Sequence, residues 1–323
     1  MKKIMLLLGT LGLLACILAG CGSQSTASGK NVKIFLTLNA MDTFRQTLVD
    51  AASERASQEG VQLDIADAED VIENQVAQIK SAAEQGYDVI LCGAVSTDTT
   101  VELKATAGEI PIIFFNSCPN EKHLSEGQYV YVGSDEKVAG QLQAEYVLKQ
   151  FADKDEINVV LLKGPNSHSA TIGRTSGVKQ ALKASGKKIN YVFEDSANWD
   201  TEQAKTLFEL FLQTGSPVDC VICNNDSMAL GVVEACKDNG IDPGSLPILG
   251  VDATADGCAA IQSGEMAFTV YQSGVGQGQA AIDMAIRMAR QSGTEDMEGI
   301  TEDGMYVWVP FEAVDSSNVA QYQ

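Results

Sequence analysis

From residue 32 onward the chain alternates short β-branched and aliphatic runs with stretches of helical periodicity. "VKIFLTL", "VQLDIA", "DVILCG", "PIIFFN", "YVYVGS", "NVVLLKG", "INYVFED", "VDCVICNN", "LPILGVD" and "AFTVYQ" read as strands, several of them apolar throughout, as strands covered on both faces must be. Between them, "DTEQAKTLFELFLQ" places Ala204, Leu207, Phe208, Phe211 and Leu212 on one helical face. Asp200 is its expected N-cap, with Gln203 closing a capping-box-like pair. Strand and helix in alternation imply an α/β fold with parallel sheets wrapped on both sides. So many strands exceed one comfortable sheet, so two sheets of about five strands each are expected. A break near "YVYVGSDEKVAG" divides the pattern.

In open parallel sheets, ligand-binding groups collect at the carboxyl ends of strands. Here Asn116 follows "PIIFF", "GPNSH" follows "NVVLLK", Asn225 and Asp226 follow "VDCVICN", Asp252 follows "LPILGV" and Gln272 follows "AFTVY". Polar strand ends in both halves predict a cleft between two lobes.

The start of the chain is read separately. "MKK" and the apolar run after it have the form of an export signal over residues 1–20, and Leu18-Ala19-Gly20-Cys21 resembles a bacterial lipobox, which would make Cys21 a lipid anchor. The Gly/Ser/Thr-rich residues 21–30 would be a flexible tether. The expected address is extracytoplasmic, lipid-anchored to the cell membrane. Losing Lys2 and Lys3 with the signal takes the formal net charge from −21 to −23, which disfavours nucleic acid and anionic lipid surfaces as partners. Cys92, Cys220 and Cys223 lie inside strand-like runs, and Cys220-Val-Ile-Cys223 points its thiols to opposite sheet faces. These thiols read as small buried apolar groups rather than a zinc or redox pair.

Little here supports covalent chemistry. There is no GxSxG and no Walker A sequence, and "HSATIGR" lacks the spacing of a zinc helix. Gly276-x-Gly278-x-x-Ala281 fits a relaxed dinucleotide fingerprint but comes near the end of the chain, where close helix packing or a hinge explains it better. What remains suits a polyhydroxylated ring: carboxylates and amides that accept and donate in pairs, His168 and Arg174 as further donors, and Phe44 and Trp199 as faces for stacking. Each residue also has a plainer role open to it. Phe44 suits a helix core face, Asp42 an N-cap, Asn225 and Asp226 a cap, His168 and Arg174 a loop brace, and Trp199 a hydrophobic staple.

The chain resembles the bacterial periplasmic galactose/glucose-binding proteins, within the wider ribose-binding-like class of solute receptors for ABC importers. The resemblance spans residues 31–318 and is carried by "MDTF", "IPIIFFN", "YVGSDEKVAG", "VVLLKGPNSHSATIGRT", "ANWDTEQAK", "VICNNDSMALGVVEA", "LGVDATADGCAAIQSGEMAFTV" and "VWVPFEAV". It implies two Rossmann-like lobes joined by three hinge crossovers near Ser134, Gly274 and Trp308. The N-terminal lobe would hold residues 31–134 and 274–307, and the C-terminal lobe 135–273 and 308–323. Asp42, Asn116, His168, Arg174, Asn225 and Asp252 would bond sugar hydroxyls and the ring oxygen, and Phe44 and Trp199 would sandwich the ring. Three departures bear on the substrate: Ala170 replaces an aspartate that serves the anomeric hydroxyl, Gln272 replaces an asparagine, and Leu38 replaces a tyrosine.

The resemblance implies a non-enzymatic receptor for a galactose- or glucose-like aldohexose, delivering it to ABC permease subunits. A receptor for another monosaccharide, or a sensor that reports to a chemoreceptor or sensor kinase, is the alternative. A monomer is expected. No catalytic residue, cofactor or metal is expected; "ADKDEIN" is too short for the family's calcium loop. A LacI-like repressor would need a helix-turn-helix where this chain has its export signal.

Overall fold

The computed structural model describes residues 31–322; the expected signal, Cys21 and the tether lie outside them. The first half runs β1 (Lys33–Leu38), α1 (Thr43–Glu59), β2 (Gln62–Asp67), α2 (Ile72–Glu84), β3 (Val89–Cys92), α3 (Thr100–Ala107), β4 (Ile112–Phe115) and β5 (Tyr129–Gly133). The second repeats the rhythm: α4 (Glu136–Gln150), β6 (Glu156–Lys163), α5 (Ser169–Ala184), β7 (Lys188–Ser196), α6 (Thr201–Gln213), β8 (Cys220–Cys223), α7 (Asp226–Asp238), β9 (Ile248–Leu249), α8 (Ala255–Gln262) and β10 (Phe268–Gln272). The chain then returns through α9 (Gly274–Arg290), β11 (Tyr306–Trp308) and β12 (Phe311–Asp315).

These strands form two six-stranded sheets, ordered β11-β5-β4-β3-β1-β2 and β12-β10-β9-β8-β6-β7. Every strand pair is parallel except β10 with β12. Each sheet is thus larger than the five or so strands expected, because the C-terminal segment adds one edge strand to each. β11 and β12 are too short and too broken by Pro310 to stand out as strands, and their partners lie far away in sequence. The chain passes between the sheets after β5, between β10 and α9, and at Val309-Pro310.

Each sheet is buried on both faces. In the first, Leu36, Leu91 and Ile113 pack under α1 and α9, while Ile90, Ile112 and Phe114 pack under α2 and α3. In the second, Cys223 faces the α6–α8 side and Cys220 the α4–α5 side, so the two thiols do point apart. Both are fully buried and free. Burial pushes the Cys220 thiol up to about 12, which leaves it a small apolar side chain in practice.

Helix α6 begins at Asp200, whose carboxylate accepts the Gln203 N–H at 2.8 Å. The reciprocal half of the expected capping box is absent. The Gln203 side chain instead accepts from Asn198 Nδ2 (2.9 Å), and the Asp200 N–H goes to the Ala197 carbonyl. A tight turn explains this, since Asn198 and Trp199 both have left-handed φ, at 52° and 65°.

The glycines near residue 276 lie within or at the start of α9, not in a phosphate loop. A Cβ on Gly278 would collide with the Leu48 carbonyl oxygen of α1. The α4–α5 pair is locked the same way: a Cβ on Gly140 would strike the Arg174 carbonyl oxygen, and one on Gly177 the Lys137 carbonyl oxygen. Overpacking of this kind typically costs about 1–3 kcal/mol. Gly278→Ala and Gly140→Ala are each expected to lower unfolding stability by about that amount in urea titrations. Only Gly140→Ala, which displaces the α5 backbone at Arg174, should also weaken ligand binding.

Candidate functional site

The carboxyl ends of both sheets meet around a cavity of about 40 Å³, room for a few waters at most, so a ring ligand fits only if the cleft widens. Its lining contains nine of the residues singled out from the sequence: Asp42, Phe44 and Asn116 from the first lobe, and His168, Arg174, Trp199, Asn225, Asp252 and Gln272 from the second. Two further residues line it, Arg45 and Ala170. Several of the plainer roles are filled as well, by different atoms of the same side chains. Asp42 caps α1 by accepting the Arg45 N–H, and Asn225 caps α7 by accepting the Met228 N–H at 3.0 Å. Phe44 also packs on the first lobe's core. Asp226 stays out of the cavity: fully buried, it accepts bonds from Thr269 and Thr254 and braces the β8–α7 and β9–α8 loops.

Arg174 is 4% exposed and anchors the second lobe's wall. Its Nε donates to Glu136 Oε2 (2.6 Å), Nη1 to the Asn224 carbonyl (2.6 Å) and to Asp252 (3.5 Å), and Nη2 to Gln272 Oε1 (2.9 Å). Most of its donors therefore serve the protein, and it offers a ligand less than the sequence suggests. It also orients its neighbours. With Oε1 engaged, the Gln272 amide nitrogen is left for the cavity. Burial opposes the Arg174 charge, but Glu136, Asp252 and Asp226 outweigh it and raise its pKa.

Arg45 does the same on the opposite wall, and the sequence reading missed it. Its guanidinium donates to Asp42 (2.6 Å), the Ala40 carbonyl (3.2 Å) and Asn116 Oδ1 (3.1 Å). Asn116 is thereby turned with its Nδ2 free, and Nη2 of Arg45 has no partner among the described residues. The available signal was local: a basic residue in the first turn of a helix opposes the macrodipole unless something pairs with it.

His168 caps α5 through Nδ1, which accepts the Ala170 N–H at 3.2 Å. The proton must then sit on Nε2, which is buried and unpartnered among the described residues and so is a donor awaiting an acceptor. Burial first, then the Arg45 and Arg174 charges, push its pKa down to about 3. Trp199 lies against Gly164, where any Cβ would strike the indole, and meets the His168 ring edge-on at 5.5 Å. Burial raises the Asp252 pKa well above the usual carboxylate range; Arg174 opposes this, while Asp226, Asp42 and Glu136 add to it. Asn116, Trp199 and Asp252 all have positive φ. Backbone strain of roughly 1–3 kcal/mol per residue is thus concentrated around the cavity.

The cavity thus presents fixed donors from Arg45, Asn116, His168, Asn225 and Gln272 against the carboxylates of Asp42 and Asp252. It has no nucleophile paired with a base: the neutral His168 uses its basic nitrogen for a cap. This arrangement can hold a ligand rich in hydroxyls, and nothing in it is set up to cleave one. Because His168 stays neutral, its ring resonances are expected not to titrate between pH 8 and 5 in NMR spectra. Its folded pKa lies below the unfolded 6.5, so its stabilising contribution is present above pH 6.5 and lost as pH falls toward 3. From pH 8 to 5 the wild type should lose about 2 kcal/mol more stability than His168→Gln.

Comparison with known proteins matches this fold. The model of the periplasmic binding protein domain family matches residues 34–294. A putative rhizopine-binding protein of Rhizobium meliloti is 32% identical over 100% of this chain and 99% of its own length. The D-galactose/methyl-galactoside binding periplasmic protein of Haemophilus influenzae is 30% identical, covering 93% of this chain and 95% of its own. Among solved structures, an ABC transporter solute binding protein from Bacillus halodurans with bound myo-inositol superposes with a TM-score of 0.80 at 28% identity, covering 92% of this chain and 99% of that one. The chain belongs to the periplasmic binding protein domain family, and it is a solute-binding receptor, not an enzyme.

Proposed function

We propose that this protein is an extracytoplasmic receptor that captures a neutral ring polyol of hexose size and delivers it to the permease of an ABC importer. The observation that carries the reading is the cavity lining. Hydrogen-bonding amides, carboxylates and guanidiniums converge from both lobes with Phe44 and Trp199 among them, the complement of a ring with polar edges and apolar faces. A relative named for D-galactose and methyl-galactoside, and a structural neighbour holding myo-inositol, support the same chemical class.

A galactose- or glucose-like aldohexose fits the sequence motifs around Asp42, Asn116, His168, Arg174, Asn225 and Asp252. The second reading, a cyclitol, is favoured by Ala170: the cavity lacks a carboxylate where the galactose/glucose receptors serve the anomeric hydroxyl, and a cyclitol has no anomeric centre. Acidic sugars are disfavoured, since Asp42 lines the cavity and the two guanidiniums are already paired. Contacts made by both lobes at once would shift the lobes toward the closed state, the form that docks the permease. Cys21 would hold the receptor at the membrane through lipid. No helix among the described residues is long and apolar enough to cross a membrane.

A thermal-shift screen of residues 31–323 against D-galactose, D-glucose, myo-inositol and other monosaccharides tests the reading. Ligand at a hundredfold over Kd stabilises by about 2.7 kcal/mol, expected here as a Tm rise of roughly 5 °C or more. Trp199→Ala should weaken the responding ligand about tenfold or more, worth about 1.4 kcal/mol. Silence toward every ring polyol would sink the proposal.

A further inference from the structure

Asp252 enters the cavity wall from a strained turn. Asp252 and Ala253 both have positive φ, at 117° and 51°, and such backbone persists only where its surroundings impose it. The Asp252 N–H donates to the Val270 carbonyl (2.7 Å), which ties the near side of the turn to β10. The far side is tied to a residue outside the cavity. The Ala253 N–H donates to Thr269 Oγ1 (3.3 Å), and the Thr269 hydroxyl donates in turn to Asp226 Oδ1 (2.6 Å). The Thr254 N–H donates to Asp226 Oδ2 (2.8 Å).

Asp226 is fully buried, and a buried carboxylate is costly unless its lone pairs are filled. The Thr254 hydroxyl adds a further bond to Oδ2 (3.2 Å). The carboxylate belongs to the first residue of α7 and meets Thr254, the cap of α8, and helix starts favour negative charge. Its room comes from two missing side chains: a Cβ on Gly250 would strike Oδ1, and one on Gly257 would strike Oδ2. The Asp226 N–H also donates to the Val251 carbonyl (2.8 Å). Asp226 thus reaches residues 251, 253 and 254, on both sides of Asp252, while the Asp252 side chain is left to Arg174 and the cavity.

We infer that Asp226, acting through Thr269 and Thr254, is a positioning residue of the ligand site: it holds the strained turn that sets the Asp252 side chain in the cavity wall. Its part is to place Asp252 without touching the ligand itself. This rests on the ring-polyol reading and deepens it, because a displaced Asp252 shows itself as lost affinity for the polyol.

The test is calorimetric titration of the mature protein with D-galactose and with myo-inositol, using Thr269→Val, which keeps the side chain's shape and removes its hydroxyl. For whichever of the two the wild type binds, Thr269→Val is expected to weaken affinity roughly tenfold, as is typical of coupling within one hydrogen-bond network. Thr269→Ser, which restores the hydroxyl, should return affinity to within about threefold of wild type. In an Asp252→Ala background, Thr269→Val should change affinity by less than about twofold, because nothing is left to position. Overturning results would be Thr269→Val within about twofold of wild type, Thr269→Ser as weak as Thr269→Val, or equal weakening with and without Asp252, the mark of a loosened lobe. If Asp252→Ala abolishes binding, the pair Thr269→Val and Thr269→Ser decides. If Thr269→Val does not fold, Asp226→Asn, which sets a donor against the Thr254 N–H, is read against the same limits. If the wild type binds neither probe nor any other ring polyol, the ring-polyol reading fails and this inference with it.

Discussion

The buried guanidinium of Arg174 organises the second lobe. A charge removed from water costs several kcal/mol unless it is paired and its donors are satisfied. Here the partners come from four places in the chain: Glu136 at the start of α4, the Asn224 carbonyl after β8, Asp252 after β9 and Gln272 at the end of β10. Satisfying one side chain therefore fixes the relative positions of four strand-end or helix-start segments. Removing a single partner of such a buried pair typically costs about 3–5 kcal/mol. The glycines of α4 and α5 serve the same end, because Arg174 and Glu136 can meet only if their helices approach to backbone contact.

Arg45 repeats the device on a smaller scale in the first lobe, holding Asp42 and Asn116. In both lobes the cavity-facing groups are held by protein partners, so little ordering entropy would remain to be lost on binding a ligand there. The N-caps contribute too. Asp42, His168 and Asn225 each spend one atom on a helix start and turn another toward the cavity. Capping and a place in the cavity wall are therefore not competing explanations for these residues, since one geometry allows both.

How much of this could be read from the sequence varies with the residue. Asn116, Asn225, Asp252 and Gln272 were legible because a polar residue directly after a buried apolar strand has few places to go except the sheet's carboxyl edge. Trp199 was legible as an aromatic beside a cap, although the positive φ that sets its ring against Gly164 was not. Arg45 and Glu136 were hidden in the first turns of helices, where a charged residue looks like a solvated face and an acidic one like a dipole partner. Their burial depends on which helices pack across the sheets, a long-range fact. The sixth strand of each sheet was missed for the same reason: β11 and β12 are defined by distant partners, not by their own residues.

If the proposed reading holds, one ligand is held by strand-end groups of both lobes at once. Hydrogen exchange of the mature protein, with and without a saturating ring polyol, tests it most directly. Slower amide exchange is expected at residues 40–46 and 116–118 of the first lobe together with residues 166–171, 225–228 and 252–254 of the second. Protection confined to one lobe, or appearing away from these strand ends, would contradict it.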